Sequence, residues 1–114
     1  VLNRLEAREG VGWVDLGDHE IPGINKFIPY HGDPSLRLAV MLLQLPQRVK
    51  VSVGTNPWAA PVPGLDIGAL CREFGGGGHA AVGAVSLPVD RLDEGRDIGA
   101  TLVSRLRKHL AGTP

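Results

Sequence analysis

Cysteine is almost missing from this 114-residue chain, which holds only Cys71. No disulfide can close within it, and a reducing compartment fits. Net charge is missing as well, with 12 Lys and Arg against 12 Asp and Glu. A surface that coats long nucleic acid usually carries a basic excess, so the balance argues against that role. It leaves open a small anion held by a local cluster. No apolar run approaches the length of a membrane span. No signal-peptide pattern opens the sequence as given, and the expected compartment is the cytoplasm. The sequence starts Val-Leu-Asn rather than with Met, as a fragment or excised domain does.

What is present is ordinary in bulk and unusual in places. One domain is the natural expectation at this length. Such a domain buries roughly two thirds of its unfolded surface, enough for a core. Apolar residues make up 43% and charged residues 21%, both typical of a globular fold. The 16 glycines and 9 prolines are many, and they cluster in Gly75–Gly78 and Pro57–Gly64, which marks loops rather than general disorder.

Val1–Gly10 is mixed; Leu2, Leu5 and Arg8 have loose helical spacing, with a strand as the alternative. Val11–Leu16 reads as a short strand with Trp13 and Val14 supplying β-propensity. Gly17–Tyr30 reads as loop, broken by Pro22, Gly23 and Pro29. Arg37–Leu43 reads as a long apolar strand, with one helical turn open at Pro34 and Asp33 as its cap. Arg48–Gly54 alternates, with Val49, Val51 and Val53 on one face and Arg48, Lys50 and Ser52 on the other. Thr55–Gly64 is a proline-stiffened loop. Asp66 caps a short helix to Phe74, whose apolar face is Ile67, Leu70, Cys71 and Phe74. Gly75 ends it. Val82–Leu87 is a strand, and Asp90 caps a last helix over Arg91–Leu110. That helix carries a stripe of Leu92, Gly95, Gly99, Leu102, Val103, Leu106 and Leu110, and its glycines permit close packing on a sheet. The elements predict a two-layer α/β domain with a mixed sheet covered by helices.

The stretch Arg72–Gly83, REFGGGGHAAVG, carries the strongest chemical signal. Four glycines cost much backbone entropy on folding. They follow a helix end rather than precede a helix start, so the dipole argument for phosphate binding does not apply. Successive N–H groups can instead form an anion-binding nest, with His79 at the exit as a donor to a phosphate oxygen. The other reading is a plain helix-to-strand turn, for which one or two glycines suffice.

Together with the strand RVKVSVGTN and the helix LDIGALCRE, FGGGGHAAVGAVSL resembles the C-terminal DHHA1 domain of the DHH phosphoesterases, over about residues 36 to 110. The resemblance implies a domain that closes over a separate Asp-His-His catalytic domain, absent from this chain, in which two divalent metals, usually Mn2+, hydrolyse a phosphoester. It implies a substrate-binding set of Gly75, Gly76, Gly77, Gly78 and His79, with no catalytic or metal-binding residue in this domain, which by itself binds without hydrolysing. Implied partners are the catalytic domain and a phosphate-bearing ligand of the short-RNA, pAp or cyclic-dinucleotide type. The family has an arginine where this chain has Gly54, and Lys50 and Ser52 on the same strand face stand as compensation. The spacing after His79 is one residue shorter than usual. A related glycine-rich domain ends alanyl-tRNA synthetases, but the lack of basic excess argues against a tRNA-binding role.

Other clusters carry weaker signals. Asp15, Asp18, His19 and Glu20 are metal-ligand types, but solvated turn residues fit better. His31 and Asp33 form an acid–base pair on paper, and Asp33 reads better as a cap. Trp58 suits either stacking on a base or a lid over the sheet edge. Cys71 reads as a core thiol and His109 as solvated. The rival function is an interaction or dimerisation module, with Leu38–Leu43 as an exposed edge strand. A self-sufficient metal enzyme built on Asp15, Asp18 and His19 is the third.

Overall fold

Apolar side chains that alternate along a strand fix which side of a sheet faces a helix. Leu38, Val40 and Leu42 share one side of the sheet with Val49, Val51 and Val53, and both sets are buried against the helices. The computed structural model describes residues 4–25 and 27–112; Leu2, part of the N-terminal alternative, lies outside them. The strands are β1 (Leu5–Arg8), β2 (Val11–Glu20), β3 (Leu38–Gln44), β4 (Val49–Thr55), β5 (Gly77–Gly78) and β6 (Val82–Leu87). The helices are α1 (Ile28–Gly32), α2 (Ile67–Arg72) and α3 (Leu92–Ala111). The sheet order is β1-β2-β3-β4-β6-β5, with β2 and β3 parallel and every other pair antiparallel, so the sheet is mixed as expected.

Helices α2 and α3 cover one face. Ile67 and Cys71 of α2 and Ile98, Leu102, Val103 and Leu106 of α3 join Val11, Val51, Val53 and Val85 in one buried cluster. Full burial of each such Leu or Ile contributes about 1.5–3 kcal/mol. Close approach explains the α3 glycines: a Cβ on Gly99 would lie 2.5 Å from the Trp13 ring, and one on Gly95 would lie 2.8 Å from Val49 Cγ1. The opposite face is covered only in part. There the connection from β2 to β3 packs Phe27 and Tyr30 near Leu36 and Ala39, while Val14, Leu16, Met41 and Leu43 form a second apolar cluster with Ile21 and Ile24.

Several expectations need correction. The strand expected to stop at Leu16 runs on to Glu20, because pairing with β3 resumes at Glu20 and Gln44 beyond a register shift. The loop expected over Gly17–Tyr30 also holds the start of α1, where Pro29 occupies a first-turn position that needs no N–H. No helical turn forms at Pro34; Asp33 instead accepts from the Ser35 N–H and hydroxyl, at 3.0 and 2.6 Å. Asp90 does not cap α3, since Arg91 holds the cap position without a side-chain bond. His109 is half-buried, with Nε2 2.8 Å from the Pro63 carbonyl oxygen. Leu38–Leu43 is not an edge strand, because β3 lies between β2 and β4. That removes the surface on which the interaction-module reading relied.

Candidate functional site

The four glycines divide into two pairs with different work. Asp66 caps α2 by accepting from the Ala69 N–H at 3.0 Å, as its sequence position suggests. At the other end Gly75 adopts φ +84°, the left-handed turn that glycine takes without strain. The Gly75 N–H then donates to Arg72 O at 3.2 Å and the Gly76 N–H to Cys71 O at 2.9 Å. This double closure satisfies orphan carbonyls of the helix end. Gly77 and Gly78 form β5, pairing with Ala84 and Gly83 at the sheet edge.

The N–H groups of Gly75, Gly76 and His79 are therefore not available to the nest expected from successive glycine N–H groups. Gly75 and Gly76 donate to the helix, and the His79 N–H donates to Val82 O at 2.9 Å. The start of α2 is occupied too: the Ile67 N–H reaches Ala80 O at 3.0 Å and the Gly68 N–H reaches His79 O at 2.8 Å. Sequence reasoning misses this clasp because it depends on the return of the chain, not on local pattern.

The structure brings five of the seven expected site residues to one cleft. Lys50, Ser52, Gly77, Gly78 and His79 line a space of about 410 Å³ on the partly covered face, while Gly75 and Gly76 do not. Met41, Leu43 and Ala84 line the sheet side, and Ile24 comes from the β2–β3 connection. Alternation along β4 explains why Lys50 and Ser52 turn into this space while Val49, Val51 and Val53 turn to the helices. Among the described residues no Asp or Glu lines the cleft. Lys50 makes no ion pair among the described residues. Among the described residues the cleft thus holds the Lys50 ammonium, the Ser52 hydroxyl and the His79 imidazole against an apolar floor, a set suited to an anion carrying an apolar body. Gly54, on the same face, leaves open space where a Cβ would stand, and its carbonyl accepts from the Tyr30 hydroxyl at 3.0 Å.

The acidic cluster serves the fold. Asp15 pairs with Arg96 of α3 at 2.6 Å, and Asp18 pairs with Arg4 at 2.6 Å. No group of three His, Cys, Asp or Glu among the described residues is placed to hold a metal ion. Burial pushes the Asp15 carboxyl up, but the Arg96 hydrogen bond, the Gly17 N–H and the Arg96 charge outweigh it and leave it below the usual carboxylate range. Such a group stabilises the fold fully above its unfolded value of about 3.9, and the contribution is lost as pH falls through the lower folded value. Asp15→Asn should therefore cost about 1 kcal/mol near neutral pH, since solvent screens the partly exposed pair. Urea midpoints should show this gap narrowing below about pH 4; a gap constant with pH contradicts the pairing. Cys71 is buried, and burial pushes its thiol up, which keeps it protonated.

No protein-family model and no curated protein matches the sequence. Among solved structures, the chain is similar to the pGpG-specific phosphodiesterase PggH from Vibrio cholerae, with a TM-score of 0.69 and 21% identity. The match covers 98% of this chain and 36% of that enzyme, so the chain spans about a third of its length. The likeness establishes a shared fold. Among the described residues no helix is long and apolar enough to cross a membrane.

Proposed function

We propose that this chain is the substrate-binding domain of a phosphodiesterase, holding a phosphate-bearing nucleotide for hydrolysis by a separate Asp-His-His domain that carries the metal, Mn2+ by resemblance. The observation that carries this reading is the acid-free cleft in which Lys50, Ser52 and His79 meet the glycine edge strand. The fold shared with a pGpG-specific phosphodiesterase supports it, as does the sequence resemblance to the DHHA1 domain. In this role Lys50 supplies charge, Ser52 and His79 donate hydrogen bonds to phosphate oxygens, and the apolar floor receives the rest of the ligand. The domain binds and orients, and cleavage belongs to the metal-bearing domain.

Titration with inorganic phosphate and with GMP, followed by amide NMR, tests the reading. Shifts should concentrate at Lys50, Ser52 and Gly77–His79. Lys50→Ala should weaken GMP binding about tenfold, as expected for a lost hydrogen bond to a charged group. Absence of shifts at these residues overturns the assignment.

A further inference from the structure

We infer that the protein pairs with a second copy of itself along the open edge of β1, in the antiparallel register that sets Ala7 against Ala7. Strand β1 ends the sheet, and Glu6, Ala7 and Arg8 are exposed along it. The turn from β1 to β2 is tight, with Glu9 at φ +54° and Gly10 at φ +81°, as in a two-residue hairpin. The direction of the backbone polar groups alternates along each strand. The Gly10 carbonyl accepts from the Leu38 N–H at 3.2 Å. Gly10 and Gly12 therefore turn their polar groups to β3, and Val11 and Trp13 turn theirs to β1. Arg8 and Glu6, opposite Val11 and Trp13, are engaged with β2. Ala7 is left with its N–H and C=O directed out of the sheet, and a second Ala7 can exchange both bonds with it.

Charge on a short edge strand usually keeps a second strand away. Here the charges select one. About an Ala7–Ala7 centre, Glu6 of each copy stands directly opposite Arg8 of the other, with Cα atoms about 4.5 Å apart, and opposed charges favour strand pairing. A shift of one residue along each strand sets Glu6 against Glu6 or Arg8 against Arg8, so like charges penalise the neighbouring registers. Glu6 and Arg8 lie on the α3 side of the sheet, as do Trp13 and Val11 opposite them. On that side Arg8, Glu9, Ser104, Arg107, Lys108 and Ala111 line a hollow of about 270 Å³, where Arg107 Nε donates to the Arg8 carbonyl at 3.3 Å. The cations Arg8, Arg107 and Lys108 share one carboxylate there, Glu9, which stands 3.9 Å from Arg8. Glu6 makes no ion pair among the described residues. Glu6 of the second copy supplies the acid that this hollow lacks. The cleft with Lys50 and His79 lies by β5 and β6 at the opposite edge of the sheet, so pairing at β1 covers neither cleft.

Sedimentation equilibrium of the full-length protein and two charge reversals tests the pairing. The parent should form a dimer whose population rises with concentration. Glu6→Arg alone and Arg8→Glu alone should each weaken the dimer about tenfold, because each leaves only like charges opposed. An equal mixture of the two variants should regain the parent's affinity, since every cross-strand pair is then again of opposite charge. In the parent, hydrogen exchange at the Ala7 amide should slow as the dimer fills. A parent that stays monomeric up to about 1 mM, a dimer indifferent to both reversals, a mixture no tighter than either variant, or an Ala7 amide unprotected in the dimer overturns the inference. None of these outcomes bears on the phosphate cleft, whose test stands apart.

Discussion

Gly76→Ala should destabilise the chain by about 3 kcal/mol, the upper part of the range for overpacking, and lower Tm by about 10 °C. The cause is backbone rather than side chain. A Cβ at Gly76 would press into the Ala84 carbonyl oxygen and lie 2.9 Å from Val85 Cα, neither of which can rotate away. Relief requires β5 to separate from β6 or the α2 closure to open. Gly77→Ala is the control, because its Cβ would meet nothing within 4 Å. It should melt within about 2 °C of the parent, a surface-sized effect. Thermal denaturation of both variants decides the matter: coincident melting curves mean that the glycine segment is not held this closely against β6.

His79→Ala in the full-length protein should lower kcat/KM for a nucleotide phosphodiester about 100-fold, the size of loss that follows when a reacting group is misplaced by about 1 Å. His79 is exposed and lines the cleft, so its removal leaves the core intact. Unchanged melting beside lost turnover would separate a role in substrate placement from one in folding. If kcat/KM is unchanged for every phosphodiester tested, His79 does not hold the phosphate.

Much of the fold is legible in the sequence because the pattern is local. The alternation of Val49, Val51 and Val53 assigns β4 and its two faces, and Asp66 marks the start of α2. The extension of β2 to Glu20 depends on a partner strand that sequence does not display. Helix α1 is five residues long, too short for a period to show. For the site, Lys50 and Ser52 are legible as a strand face, and Gly77–His79 as an unusual run. Their meeting across β4, β6 and β5 is not legible, since it needs the sheet order. The division of the glycines into a helix closure and an edge strand is hidden for the same reason: Gly75 and Gly76 find their acceptors, and Gly77 and Gly78 their strand partners, only once α2 and β6 are in place.

The clasp around α2 has a thermodynamic consequence. The backbone at His79 is tied on both sides, its N–H to Val82 O and its carbonyl to the Gly68 N–H. Its main chain is already ordered before any ligand arrives. In the role proposed above, association would then immobilise an imidazole and an ammonium side chain, at about 0.5–1.5 kcal/mol for each rotamer-rich group, without the added penalty of ordering a glycine loop. The flexibility implied by four consecutive glycines is removed during folding, so in the proposed role it would not weaken recognition.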